Sequence, residues 1–527
     1  ALAATLCTSP LLFAQSGGAS ANSPAVETLS IDAHAAATPL PHFWEQTFGS
    51  GRAILSLRES YRNDLRAVKS ITGFESIRFH AIFLDDVGVY DPDRQAILFA
   101  QMTSTPAGTT NTPTAAGPYN FSYVDQIYDG LLANGVRPYV ELSFTPKKMA
   151  TDPNAIHPFW YKQNVSPPDY TKWDPMIAAF AEHLIARYGI DEVARWNFEV
   201  WNEPNIDFWA GTPKQATYFE LYAHTARALK GVSTRIRVGG PATAQAAWVG
   251  DFLAWCKQNN VPVDFASTHV YANDTAPDVF HTQEVIPRDT MVCRAVKKVH
   301  DEIAASPYPK TPLYFSEYNA SYANEPNVTD STYMGPWLAT TIAQCDGLVE
   351  NMAYWSFSDV FEEQGVIRTP FYGGFGLVAE DGIPKPSFNA FALLHKLGTE
   401  RLALASNSAL LTRTADGRLV LALWNYAPPV GTGAAYTPET ATRGAARSFH
   451  LTGLHTRAAE LSRVDPTHGN VVAAFDAMGR PATPTREQIV ALREAGKLPA
   501  AERVAIRGGT LDITVPAQGL VLLELGK

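Results

Sequence analysis

A (β/α)8 (TIM) barrel with an accessory all-β, sandwich-type domain is the fold class that this α/β sequence predicts, and three observations predict it. Eight short β-branched or aromatic runs alternate with longer helical patterns between residues 40 and 390. Polar residues fall at the C-terminal ends of the runs: His80, Glu203, His269, Glu317 and Ser356. In a parallel barrel those ends share the one face where active sites sit. Beyond residue 390 the apolar period becomes two, with turn signals at "DG" and "GG". An open doubly wound sheet is the rival, weakened by the count of eight and by the lack of a GxGxxG after the first run.

In chain order, "ALAATLCTSPLLFAQSGGASANSP" has the character of the back half of a secretory signal peptide, with cleavage expected near Ala14 or Gln15. Residues 1–20 are therefore read as a signal remnant and linker, and the mature protein as periplasmic or secreted. The "TLSID" run near residue 28 is a strand expected to join the C-terminal sheet. That assigns 21–39 together with 391–527 to the accessory domain and 40–390 to the barrel. The eight barrel runs are "HFWEQTFG", "ESIRFHAI", "RPYVELSF", "ARWNFEVWN", "RIRVGGPA", "FASTHVY", "PLYFSEYN" and "NMAYWSFS". Apolar residues at three- and four-residue spacing predict helices over 123–135, 172–189 and 215–232, ended by Gly135, Gly189 and Gly231. The Thr/Pro/Ala-rich stretch 103–118 reads as a long loop over the catalytic face. A helix over 483–496 has Thr485 as its N-cap and Gln488 as the capping-box partner.

With 527 residues, 46% of them hydrophobic, the chain can bury more than one core. The net charge is −10 and the basic residues are scattered, so a nucleic-acid partner is not expected. Apolar bursts are too short for a membrane span. Cys7, Cys256, Cys293 and Cys345 are far apart without a CxxC pair, which argues against a zinc cage. Free, buried thiols are expected, and the pairing weighed for a bridge is Cys256 with Cys293. No HExxH, P-loop or dinucleotide fingerprint occurs, so neither metal nor organic cofactor is expected. Oligomeric state is left open, a monomer being the default.

Glu203 lies in "RWNFEVWNEPN" and Glu317 in "PLYFSEYNASY", closing the fourth and seventh runs. Hydrolysis of a glycoside needs an acid for the leaving oxygen and a carboxylate to meet the positive charge at the anomeric carbon. Carboxyls facing each other across the rim suit the retaining geometry, roughly 5–5.5 Å apart, over the inverting one at about 6.5–9.5 Å. Glu203, among Trp201, Pro204 and Trp209, is expected to lose hydration and act as the acid/base. Glu317, beside Ser316, Tyr318 and Asn319, is expected to be held ionised by hydroxyl donors as the nucleophile. Asn202 is placed to bond the sugar 2-hydroxyl. A second "NEP", Asn324 to Pro326, ends no apolar run and reads as plain loop.

At these residues the chain resembles clan-A glycoside hydrolases, and more narrowly glycoside hydrolase family 39, chiefly its β-xylosidases. The matching segments include "SIRFHAIFLDDVGVY", "WNFEVWNEPN", "STHVY", "YFSEYNASY", "YWSFSDVFEEQG" and "FYGGFGL", from about 75 to 380. The downstream segment "VDPTHGNVVAAFDAMGRPATPTREQIVALREAG" is similar to the same branch. The resemblance implies a retaining mechanism with Glu203 as acid/base and Glu317 as nucleophile. It further implies sugar contacts from His80, Asn202, His269, Tyr271, Tyr322 and Trp355, and from the adjacent pair Glu362 and Glu363. The chain departs from it at 103–118 and around 434–447. The expected substrate is a xylo-oligosaccharide or related plant-cell-wall glycan, cleaved from its non-reducing end. The alternatives are another neutral glycoside (an arabinoside, β-glucoside or β-galactoside), a uronic acid as in the related iduronidases, or carbohydrate binding without turnover. The Glu362–Glu363 pair is expected to repel a uronate.

Overall fold

The computed structural model describes residues 26–92, 117–429 and 444–526. The apolar start with Cys7, almost all of the 103–118 loop and most of 434–447 lie outside the described residues. Among the described residues, eight parallel strands close a barrel in chain order. They are Thr47–Arg52, Ser76–His80, Arg137–Leu142, Asn197–Val200, Arg237–Thr243, Phe265–Tyr271, Leu313–Asn319 and Asn351–Tyr354, and Tyr354 pairs back to Phe48. Each predicted run overlaps one of these. Strands covered by helices outside and by side chains within read as short, nearly unbroken apolar stretches.

Helices Ser122–Ala133, Tyr170–Tyr188 and Lys214–Val232 occupy the predicted positions. Gly135 and Gly189 follow the first two at φ 68° and 79°, a region costly for other residues. Gly231 does not end the third helix, which runs on to Val232. A side chain at Gly231 would meet nothing within 4 Å, so the residue is a tolerated exposed helical glycine. The second "NEP" is not plain loop. Glu325 is the N-cap of the one-turn helix Pro326–Thr329, and its carboxylate accepts from Arg288 at 2.8 Å.

The cysteine expectation is corrected. Cys293 and Cys345 form a disulfide with Cα atoms 5.2 Å apart, and Cys256 is a buried free thiol. The bridge ties Arg288–Ala304 to the last residue of Met334–Cys345, two helices packed side by side around the barrel. Cys256 instead packs in the core with Phe252 and Leu253 of its own helix, Val249–Gln258.

Among the described residues, the accessory part has two sheets. Seven strands run in the order Glu502–Ala505, Ala458–Val464, Gly519–Glu524, Leu419–Asn425, Ala409–Arg413, Glu400–Leu402 and Ala37–Pro39. Arg447–Thr452 lies between Val26–Ser30 and Leu511–Val515 in the other. Leu421, Leu423, Val521 and Leu523 share one core with Leu29, Phe449 and Leu451 of the small sheet. The intervening residues, Val420, Ala422, Trp424, Leu520 and Leu522, face the barrel's core instead. Both faces of the central strands Leu419–Asn425 and Gly519–Glu524 are thus buried, while the edge strands Glu502–Ala505 and Ala37–Pro39 are largely exposed. Helices Met334–Cys345 and Pro386–Leu394 lie between the large sheet and the barrel, close enough that a Cβ on Gly335 would sit 3.2 Å from that of Leu520. Arg486–Ala495 carries the expected capping box of Thr485 and Gln488.

Candidate active site

Period two in the barrel strands aims alternate residues into the pore. In "SIRFH", Ile77 and Phe79 join the hydrophobic core while Arg78 and His80 turn inward to Glu141, Glu199 and Glu317. Glu317 projects from the seventh strand into the mouth. Glu203 lies three residues beyond the fourth strand, in a turn where Trp201 and Glu203 take φ of 72° and 44°. Such backbone costs of order 1–3 kcal/mol per residue and persists where surroundings enforce it. Here the Glu203 amide donates to Ala242 O at 2.7 Å, pinning the turn to the fifth strand.

The two glutamates meet. A carboxylate oxygen of each, together with a nitrogen of His269, lies within 4.8 Å of the others. His269 Nδ1 is 3.0 Å from Glu203 Oε1 and 3.6 Å from Glu317 Oε1. Over them opens a cavity of ≈ 270 Å³ whose lining includes His80, Asn202, Glu203, Tyr271, Glu317, Tyr322, Trp355 and Glu363. Ile206, Phe208 and Phe375 supply apolar wall, and Asp274 a further carboxyl. Trp355 is nearly buried against bare backbone, where a Cβ on Gly49 would come within 2.0 Å of its ring. Its centroid is 4.7 Å from His80 and 5.5 Å from Phe361.

The two carboxyls differ in acidity. Burial pushes Glu203 well above the carboxylate range, and the charge of Glu317 adds to the rise. Burial raises Glu317 too, but Arg78, His80 and the Tyr271 hydroxyl all oppose it. Arg78 Nη1 and Tyr271 Oη donate to its two oxygens, each at 2.6 Å. His80 is held charged above its usual pKa, since Glu141 at 2.8 Å outweighs burial. His269 is pushed well below by burial and by the Arg78 and His80 cations, so it is neutral. Burial takes Glu363 up to about 8 and Asp274 up to about 7.

Several expectations about individual residues change. Ser316, Tyr318 and Asn319 do not hold Glu317. Ser316 donates to Glu199, Tyr318 packs outward with Trp337, and Asn319 donates to the Trp355 carbonyl. Tyr318 points to the opposite face of the strand from Glu317, as alternation requires, whereas Ser316 is the extra residue at a register shift opposite Thr268 and His269 and turns inward to Glu199 instead. Trp201 and Trp209 pack on one another at 4.9 Å, away from the cavity lining, and Ile206 and Phe208 wall Glu203 in their place. The Glu362–Glu363 pair splits as well, in the loop beyond the eighth strand, where Glu362 takes a φ of 62°. Glu363 lines the cavity, whereas Glu362 turns to Arg58 at 2.5 Å and Arg52 at 3.4 Å. His269 is fully buried beneath the glutamates, and Ser356 donates to the Ser358 carbonyl. Tyr322 is on the rim, 54% exposed, edge-on to Tyr271.

Arg78, Glu141, Glu199 and Asp274 were not singled out from sequence. Charges in mid-strand among apolar residues ("SIRFH", "YVELS", "NFEVW") are the signal that finds the first three, because buried charges must pair. Among the described residues, two groups have donor atoms close enough for a cation, Glu203–His269–Glu317 and His42–Glu45–His395. In each, the facing atoms already make hydrogen bonds with one another or with Arg78, Tyr271 and Ser316.

A closed parallel barrel with two unequal carboxyls facing each other across its C-terminal mouth is the working arrangement of a glycoside hydrolase. Residues 27–510 match the model of glycosyl hydrolases family 39. A β-xylosidase of Geobacillus stearothermophilus is 36% identical over 481 residues, 90% of each chain. The crystal structure of a monomeric β-xylosidase from Caulobacter crescentus CB15 superposes with a TM-score of 0.82 at 34% identity, covering 95% of this chain and 99% of that one. That of a family 39 enzyme from Xanthomonas axonopodis pv. citri gives 0.81 at 33%, covering 96% and 98%. The chain belongs to glycosyl hydrolases family 39.

Proposed function

We propose that the protein is a retaining exo-β-xylosidase that removes xylose from the non-reducing ends of xylo-oligosaccharides. The observation that carries this is the approach of the two carboxyls to within 4.8 Å, one driven toward its acid form and the other held by Arg78 and Tyr271. Glu203 gives its proton to the glycosidic oxygen as the Glu317 carboxylate bonds to the anomeric carbon and the leaving sugar departs. Glu203 then takes a proton from water, whose oxygen displaces Glu317 and restores both groups.

A cavity of ≈ 270 Å³ is at the small end for ligand pockets and suits one sugar ring, which favours exo cleavage. Asn202 Oδ1 is engaged by Arg78 at 3.0 Å, leaving its amide to donate to a sugar hydroxyl. Among the described lining residues His80 is the sole basic side chain, and it is already paired with Glu141. A uronate would therefore lack a free cationic partner, and the neutral sugar is preferred. The relatives named β-xylosidase, at 36% and 35% identity over most of their length, support xylose as that sugar. The disulfide supports the reading of an exported protein, since such bridges persist in oxidising compartments.

Release of p-nitrophenol from a panel of aryl glycosides tests the assignment. Turnover of the β-xyloside should exceed that of the arabinoside, β-glucoside and β-galactoside, and NMR of early xylobiose cleavage should show β-xylose first. A first-formed α-anomer, or binding without release from any glycoside, would overturn it.

A further inference from the structure

We propose that Ser316 and Glu199 are positioning residues that hold His269 in its Nε2–H tautomer, so that the bare Nδ1 accepts a hydrogen bond from Glu203 and keeps that carboxyl in its acid form. The inference rests on the reading of Glu203 as the acid/base and extends it to groups beneath the cavity floor.

The argument is a count of hydrogens. Glu199 is fully buried in the fourth strand, with Oε2 2.5 Å from Arg78 Nε and Oε1 2.6 Å from Ser316 Oγ. A carboxylate has no proton to give, so Ser316 donates to it. A serine hydroxyl has a single hydrogen. The contact between Ser316 Oγ and His269 Nε2, at 3.1 Å, must then be filled from the ring, with Nε2–H donating. The reverse arrangement would spend the serine proton on a neutral nitrogen at the longer distance. It would leave Glu199 Oε1 with the Tyr139 hydroxyl at 3.3 Å. Charge-assisted bonds are roughly twice as strong as neutral ones, which favours donation to Glu199.

A second proton on the ring is opposed by burial and by two cations, Arg78 and His80. Nδ1 therefore carries a lone pair, and it lies 3.0 Å from Glu203 Oε1. Two lone pairs repel at that distance unless a hydrogen lies between them, and Glu203 is the group with one to offer. Other charges around Glu203 come from several elements: Glu317 on the seventh strand, Asp274 beyond the sixth, Arg78 on the second and Glu363 beyond the eighth. The three carboxyls favour a neutral Glu203 and Arg78 opposes it. What the buried chain adds is a group that cannot donate to the ionised form. Once Glu203 has protonated the leaving oxygen, its carboxylate faces a lone pair. It is thereby primed to take the proton of the incoming water.

The tautomer is read directly from imidazole 15N shifts of histidine-labelled protein at neutral pH, with His269 assigned by difference against His269→Gln. An Nε2–H signature is expected, and an Nδ1–H signature overturns the proposal. This measurement uses the resting protein, so it stands even if the substrate reading fails. Ser316→Ala frees the ring to turn to Nδ1–H and donate to ionised Glu203. The alkaline limb of kcat/KM on xylobiose should then move down by about one pH unit. Ser316→Thr, which keeps the hydroxyl, should return it toward the wild-type position. A folded Ser316→Ala with its alkaline limb unmoved also overturns the proposal. By contrast, a Glu203→Ala enzyme equally impaired on aryl xylosides and on xylobiose would sink the acid/base reading rather than the relay.

Discussion

Arg78 donates to Glu317 at 2.6 Å and to Glu199 at 2.5 Å, and pairs with Glu141 at 2.8 Å, in a region fully buried except for a sliver of Glu317. Three carboxylates around one guanidinium leave uncompensated charge if the cation is removed, a change that costs about 3–5 kcal/mol at buried pairs. Arg78→Met should therefore lower the unfolding midpoint steeply. It should also shift the acid limb of kcat/KM. Arg78 lowers the pKa of Glu317 against burial, so its loss raises that pKa, and the limb moves to higher pH. An acid limb unmoved in protein that still folds would show that Glu317 is not the group titrating there. At the proposed nucleophile, Glu317→Ala should abolish turnover, and azide should restore it with an inverted product anomer. Rescue with retained configuration would reassign the nucleophile. These residues also mark how far a sequence reads at this scale. Glu203 and Glu317 were legible because each lies at the C-terminal end of an apolar run. The partners of Glu317 were not, because Arg78 and Tyr271 come from the second and sixth strands and only closure of the ring brings them to it.

The first barrel strand shows what an element contributes without placing any polar side chain in the cavity. Gly49 leaves its backbone bare, and the Trp355 indole fills the space where a Cβ would lie only 2.0 Å from Cε3. Gly49→Ala must displace the ring, at an overpacking cost of typically about 1–3 kcal/mol. With the ring, which lines the cavity, as the proposed apolar platform for the sugar, KM for aryl β-xyloside should rise while the alkaline limb assigned to Glu203 stays in place. An unchanged KM would mean that the indole face is not a sugar contact. All eight barrel strands were legible in order, since burial on two faces concentrates apolar residues and the helices after the second, third and fourth strands have a clear period. The disulfide partner was not. Cys293 and Cys345 meet because their helices pack side by side around the ring, whereas spacing along the chain favours no particular pair. The double burial of the large sheet's central strands was equally hidden, because alternation reveals one face of a strand and says nothing of what lies against the other.

At the scale of the whole molecule, the large sheet gives one face to the accessory core and the other to the barrel, so neither part can open without exposing the other. A single calorimetric transition is expected for the whole chain. Trp424, 1% exposed on the barrel-facing side, should lose about 3–5 kcal/mol when replaced by alanine, lowering that one transition rather than splitting it. Two resolved transitions would show that the barrel and the sheets unfold independently. Because unfolding is shared, a local pH-linked contact should register in the melting of the entire chain. Glu45, just ahead of the first barrel strand, meets His395 Nδ1 at 2.9 Å at the end of the helix Pro386–Leu394 and His42 Nδ1 at 2.7 Å. Burial works to raise Glu45, but the hydrogen bonds from His395 and His42 outweigh it, and its pKa falls below the ordinary 4.5. The bond to Glu45 raises His395 above its ordinary 6.5. The depressed carboxyl contributes stability above about pH 4.5, lost as pH falls through its lower folded value. The raised imidazole contributes below about pH 6.5, lost as pH climbs through its higher folded value. Both contributions are fully present only between those limits. The melting temperature of wild type over His395→Ala should therefore be greatest near pH 5–6 and shrink on either side. A difference that stays constant from pH 4 to 9 would mean that His395 acts through packing and not through its charge.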